Sequence, residues 1–423
     1  MNTSLPMPLG GAPAAPARPA LVAVARVRPA DPASAAPGID RHRVSFTGSG
    51  GDYFRLWLSN LLLTLVTLGI YTPWARRRRI QYFFRNTEVG PDPLDFTASS
   101  RSMVTGFLLV ALVYGLIQVM SSQGLSAAVS VLVLLIAALT PWLWRSAMRF
   151  RVRNTTWRGL PFAFHASTRE AYVAAWPLLG AAAFVVALPW WLPELPAAGQ
   201  RSPRAPDVAV WVGVTAGALL AGVVLIRLRF NFLHLQMTRT SLGGQMGHFK
   251  AGFGAFFRVG LICLGVGLLA YLVLAGVLVG FAAGLAGLMR GAGLSGAFAV
   301  MALVFLVALP LLLLPASITM AAWEAMVFRT IWSNAGLSGL ARSKCSLHTR
   351  AFVRLRTKNV FLTLLSLGLY RPFAVVSEYR MKIDSVRVYT RGDIDVLAHR
   401  LTRGTPGGVG DAAAGLAGFD LGI

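Results

Sequence analysis

The sequence predicts a mainly α, polytopic helical membrane protein: three transmembrane hairpins (six firm spans), two short helical elements, and small cytoplasmic β-hairpins between helix pairs. Three observations lead there. Fifty-five per cent of the residues are hydrophobic and only 13% are charged, about half the charged share of an average soluble domain. Charge-free runs long enough to span about 30 Å of hydrocarbon come in pairs. The 40 basic residues, against 16 acidic ones, gather between those pairs, as the positive-inside rule expects of cytoplasmic connections.

Residues 1–42 open on a Pro- and Ala-rich stretch whose longest apolar run, ALVAVA, is too short for a signal-peptide core, and they are expected to be a disordered tail. A membrane domain follows over 43–400, then a flexible tail over 401–423. Residues 102–144 make the first hairpin, turned at SSQG; 171–193 and 208–226 make the second, joined by PELPAAGQRSPRAP; 259–289 and 291–323 make the third, separated by Arg290. The turns inside the hairpins carry zero, two and one basic residues, whereas the segments at 72–101, 145–170, 227–258 and 329–358 carry six, six, five and seven. The hairpins therefore hang from a cytoplasmic face, in the inner membrane, with both termini on that side. Trp142 and Trp144, Trp190 and Trp191, and Trp323 fall at span ends, where an interfacial aromatic belt would lie.

The basic connections repeat one another. Arg85-Asn86-Thr87 and Arg153-Asn154-Thr155 are each followed by Gly90 or Gly159 and then Phe96 or Phe164, with a fainter copy in Arg239-Thr240-Ser241, Gly243 and Phe249. Arg149 to Arg153 alternates basic with apolar, and Phe162 and Phe164 alternate beyond a Gly-Leu-Pro turn, the period-2 pattern of a hairpin. The rival reading has helices continuing out of the membrane with basic faces.

A second repeat brackets the domain. NLLLTLVTLGIYTPWA from Asn60 and NVFLTLLSLGLYRPFA from Asn359 agree at nine of sixteen positions. Gly69 and Gly368 can take the left-handed conformation that stops a helix, Pro73 and Pro372 cannot continue one, and Tyr71 and Tyr370 suit a head-group interface. The first copy is charge-free from Leu56 to Ala75, the second only from Asn359 to Tyr370, roughly 18 Å of helix. The two are expected to be half-depth elements; the alternative is that each crosses, giving eight spans.

Phe46, Gly48, Gly50, Gly51, Tyr53, Phe54 and Trp57, then Asn60 through Ala75, then the Arg-Asn-Thr loops resemble the YjgN-like family of bacterial inner-membrane proteins over roughly residues 43–400. The resemblance implies location and architecture, and brings no catalytic or binding residues with it.

No catalytic constellation emerges, and the predicted spans hold no ionisable residue, so an ion-coupled carrier loses weight. Glu324, at the edge of the last span, is the acid worth testing, with Arg329 as its nearest expected partner. Six scattered histidines and two unpaired cysteines suggest neither metal nor cofactor. Gly276, Gly280 and Gly284 would pack a neighbouring helix closely, and Pro310 and Pro315 would kink the last span. Arg76, Arg77, Arg78 and Arg79 are candidate contacts for anionic head groups. Two functions remain: a passive or lipid-handling transporter with Asn60, Thr64, Asn359 and Thr363 as polar lining, or a scaffold whose basic hairpins bind a partner. Membrane lipids are the expected partners; nucleic acid is not, because the loops look too short to build a module for it, and a homo-oligomer has no sequence support.

Overall fold

The computed structural model describes residues 38–391 apart from 99, 125, 183–207 and 290–293. Residues 1–37 of the first predicted tail, the second tail, the Pro-rich connection of the second hairpin, Trp190, Trp191 and Arg290 lie outside the described residues; residues 39–42, expected in the tail, instead open the first strand.

Ten short strands close into an antiparallel barrel. They are β1 (Ile39–Phe46), β2 (Thr87–Val89), β3 (Asp92–Phe96), β4 (Thr155–Trp157), β5 (Leu160–Phe164), β6 (Thr240–Leu242), β7 (Gln245–Phe249), β8 (Ala335–Leu337), β9 (Ala341–Cys345) and β10 (Val386–Arg391). Each pairs with its chain neighbours, except that β1 pairs with β2 and β10 and β10 with β9 and β1. The helices are α1 (Gly50–Val66), α2 (Thr72–Arg85), α3 (Ser100–Ser122), α4 (Ser126–Arg153), α5 (Thr168–Ala174), α6 (Val208–Arg239), α7 (Phe253–Met289), α8 (Leu294–Asn334), α9 (Thr349–Leu365) and α10 (Arg371–Asp384).

The register puts every described helix on one rim. The last residue of each odd strand from β1 to β9 faces the first of the even strand reached through a helical pair: Phe46↔Thr87, Phe96↔Thr155, Phe164↔Thr240, Phe249↔Ala335 and Cys345↔Val386. Helical pairs thus leave from that rim, and the turns at Gly90, Gly159, Gly244 and Gly339, all with positive φ, mark the other. At the helical rim the same joint is built five times. The amides of Thr47, Thr97, His165, Lys250 and Ser346 donate to the carbonyls of Asn86, Asn154, Arg239, Asn334 and Ser385, at 2.9–3.1 Å. Beside each joint Phe46, Phe96, Phe164, Phe249 or Cys345 is buried. Asn86, Asn154 and Asn334 each donate from Nδ2 to the carbonyl four residues back, closing the helix end.

Side chains alternate across a strand, and one face of the sheet is apolar. Val89, Leu94, Trp157, Leu160, Phe162, Leu242 and Leu337 belong to it and meet Leu340 in one cluster. They come from strands as far apart around the sheet as β2 and β8, so this face is the barrel interior. It is filled by side chains, as in other small barrels.

This architecture overturns the predicted fold class. The chain is not a helical membrane fold of six firm spans decorated with separate hairpins: its strands form a single closed barrel, tied across the whole sequence by β1 and β10. Among the described residues three helical stretches are long and apolar enough to cross a membrane, Val104–Ser122, Thr215–Arg239 and Phe253–Phe281. The misreading has a physical cause, since eight of the strands have only three or five residues, too few alternations to register, and the two longer ones, β1 and β10, are partners up to 352 positions apart (Ile39↔Arg391). The expected strand at Arg149 to Arg153 is the end of α4, because five alternating residues satisfy a helix equally well. The third repeat is also displaced by one: Arg239, not Thr240, takes the place of Asn86.

Two smaller expectations change. A Cβ on Gly276, Gly280 or Gly284 would meet nothing within 4 Å, so no described helix of this chain packs closely on them. Pro310 and Pro315 lie within α8 without ending it.

Candidate functional site

The bracketing repeat forms two short helical hairpins of one design, α1/α2 and α9/α10. α1 and α9 are each 17 residues long, α2 and α10 each 14. The helix stops as Gly69 and Gly368, at φ 91° and 94°, donate to the carbonyls of Thr64 and Thr363 at 2.7 Å, the wide closure of a Schellman turn. Thr67 and Ser366 then accept from the amides of Tyr71 and Tyr370 at 3.0 and 2.9 Å. Pro73 and Pro372 start the return helices, where a missing N–H costs nothing. Tyr71 stacks on Trp74 and Tyr370 on Phe373.

Asn60 and Asn359 brace these hairpins from inside. Both are buried, at 8% and 1% exposure. Asn60 Nδ2 reaches the carbonyl of Ala75 at 3.5 Å, and Asn359 Nδ2 reaches that of Ala374 at 3.3 Å, Ser377 Oγ at 3.1 Å and Glu378 Oε1 at 3.0 Å. Thr64 and Thr363 donate to the carbonyls of Asn60 and Asn359 within their own helices, each at 2.7 Å. The four predicted lining residues are therefore not brought to one place: each Asn–Thr pair sits in its own hairpin. The Oδ1 atoms of both asparagines are buried without a partner.

The two hairpins pack side by side, α10 on α1, with Phe54 stacked on Phe373 at 5.5 Å and no room for a Cβ on Gly50 beside Phe373. Their tips are bare. Leu65, Val66, Leu68 and Ile70 are 63%, 82%, 93% and 67% exposed, and Leu365, Leu367 and Leu369 are 73%, 95% and 56% exposed. Leu68 and Leu367 also hold φ at 50°, a conformation that costs a residue with a Cβ about 1–2 kcal/mol.

The expected cationic cluster lies on α2, where Arg76, Arg78 and Arg79 are exposed, Arg77 is half-buried, and Arg78 sits over the Tyr71 ring at 5.7 Å. Glu324 has other partners than Arg329. Its carboxylate takes Arg356 Nη1 on α9 and Lys382 Nζ on α10, the latter at 2.6 Å, while Arg356 also lies 3.5 Å from Glu378. Burial pushes the Glu324 carboxyl up, but Lys382 and Arg356 outweigh it and hold the group below its ordinary value. This lattice pins the second short hairpin to α8. No spacing rule could find it, because its members come from three helices; only the oddity of an acid beside a long apolar run marked Glu324.

A molecule with apolar, membrane-length helices on one rim of a barrel, and apolar side chains bare to the surroundings along them, is an integral membrane protein, and its relatives place it in the inner membrane. The chain belongs to a family described as bacterial protein of unknown function, DUF898, whose model matches residues 41–416. It is similar to the inner membrane protein YjgN of Salmonella typhimurium strain LT2, 32% identical over 149 residues, 35% of this chain and 38% of that protein. It is similar also to YjgN of Escherichia coli K12, 28% identical over 131 residues, 31% of this chain and 33% of that one. The matched stretch is thus less than two-fifths of either relative's length. No solved structure matches the chain.

Proposed function

We propose that the protein handles anionic lipid, letting lipids pass along the flank of its two short hairpins, with the barrel and the basic helix ends on the cytoplasmic side. The observation that carries this reading is the depth at which those hairpins stop. Charges climb several helices from the barrel rim to a similar height, nine residues from the end of α2 at Arg76, eight from the end of α4 at Arg145, and nine from the start of α9 at Lys358. Beyond that level α1 and α9 each have seven residues, none of them charged, roughly 10 Å of helix against about 30 Å of hydrocarbon. The bare leucine tips would end near mid-bilayer, beside helices such as α7, whose candidate span alone covers 29 residues.

A lipid next to such a step meets a thinned wall, with Arg76, Arg78 and Arg79 placed for its phosphate. Asn60, Thr64, Asn359 and Thr363 would contribute to that path only through the two unpartnered Asn oxygens, since both hydroxyls are already spent on backbone. The test is transfer of fluorescent phosphatidylglycerol between leaflets of phosphatidylcholine–phosphatidylglycerol vesicles holding the full chain. The expected result is bleaching by external dithionite beyond the outer-leaflet share, abolished by Leu68→Asp with Leu367→Asp. Bleaching confined to the outer leaflet would sink the proposal.

A scaffold remains the second reading, favoured by one observation: the barrel interior is packed with apolar side chains rather than open.

A further inference from the structure

The outer face of β1, β10 and β9 carries a charge arrangement that the lipid reading leaves unused. Because partners across the ladder share a face, Arg43, Arg387 and Lys344 form one row over three adjacent strands, and Arg41, Tyr389 and Arg342 form the next. Arg391 extends the patch at the end of β10. Arg41, Arg43, Arg342, Lys344 and Arg391 are exposed, and Arg387 and Tyr389 are half-buried.

Like charges directly opposite one another destabilise a sheet, and here they stand opposite twice in a single row. The nearest acid on that face is Glu88 of the adjoining β2, opposite Ser45 and diagonal to Arg43. No acidic residue shares this face on the three strands, and among the described residues none of the six cations is in an ion pair. The barrel is closed, so its backbone groups are satisfied and an added peptide strand has no edge to join. The binding surface is therefore made of side chains alone: six cations around one aromatic ring.

We propose that this wall binds single-stranded nucleic acid, the cations meeting its phosphates and Tyr389 stacking a base, a combination typical of sequence-tolerant strand binding. A flat bilayer does not reach it. Arg41 lies five residues below the helical rim along β1 and Arg76 nine residues above it along α2, a separation of roughly 25 Å after allowing for strand tilt. The inference needs the barrel to be cytoplasmic, as proposed above, and does not need lipid transfer. It departs from the expectation drawn from sequence, which gave nucleic acid no place because the basic loops looked too short. The barrel sets one of those loops, at β9, beside the terminal strands β1 and β10, which supply four of the six cations.

The test uses the full chain in discs of phosphatidylcholine alone, with fluorescence anisotropy of a short labelled oligouridylate over a salt series, and inorganic polyphosphate as competitor. Binding should weaken steeply with salt, by about 0.7 log units per phosphate contacted for each log unit of salt. Arg43→Glu with Lys344→Glu, judged folded by its melting profile, should lose at least tenfold in affinity. Tyr389→Ala should lose about five- to a hundredfold at an unchanged salt slope. Absence of oligouridylate binding overturns the proposal. So does equal binding by polyphosphate combined with a silent Tyr389→Ala, which would make the wall a general polyanion surface. Because no lipid is transported in this assay, its failure leaves the lipid reading standing, and the reverse holds for the vesicle experiment.

Discussion

At the scale of single residues, Asn359 and Leu68 show how side chains fix the hairpins. Asn359 is wholly buried and its amide serves three acceptors on the return helix. Asn359→Leu should therefore lower stability by about 2–3 kcal/mol, through acceptors left without a donor, read as a lower melting temperature in detergent. Leu68 and Leu367 invite the opposite result. Glycine would hold their positive φ without strain, so Leu68→Gly with Leu367→Gly should raise the melting temperature in detergent while reducing lipid transfer. A double variant that is both more stable and fully active would remove the tips from the account. Glu170 gives a pH dependence. Its carboxylate accepts from the Ser167 amide, and that bond and the Arg239 guanidinium hold it below its ordinary value of 4.5. A lowered folded value means that the stabilisation is complete above pH 4.5 and is lost as pH falls through the folded value. Glu170→Gln should flatten this acid dependence of melting.

At the scale of elements, the short hairpins were the most legible part of the chain, because their signal is local: a Gly, then a Pro four residues on, repeated nearly 300 positions apart. The five rim joints were only partly legible. Arg-Asn-Thr marked two, and a shifted Arg-Thr-Ser a third, but Asn334 repeats the asparagine and its side-chain bond without the flanking Arg and Thr, and Ser385 shares only backbone geometry. Their meaning as one barrel was invisible, since closure depends on pairings that no window of sequence contains. The same joints predict where the barrel is fragile. Phe96→Ala or Phe249→Ala removes a ring buried at 2% or 6% exposure and should cost about 3–5 kcal/mol, with loss of the sheet signal in circular dichroism. Gly48→Ala should also destabilise, because its Cβ would sit 2.6 Å from the Phe46 ring and 2.9 Å from the Tyr82 hydroxyl.

At the scale of the molecule, one plan emerges: a plugged barrel as hub, helical pairs on a single rim, and two of the pairs cut short side by side. Composition announced the membrane, yet the hub that organises the helices is spelled in fewer than sixty residues scattered from Ile39 to Arg391. Where the short pairs stop decides whether the lateral step exists. Spin-label depth measurement settles it, with single labels at Leu68 and Leu367, at Val110 on α3 and at Ser338 on a barrel turn, in a protein lacking Cys263 and Cys345. The account predicts that Leu68 and Leu367 sit inside the hydrocarbon, near mid-bilayer, while Ser338 is reached only from the cytoplasmic side. Labels at Leu68 and Leu367 that are open to water on the far side would mean that the short hairpins cross, and the step on which lipid handling rests would not exist.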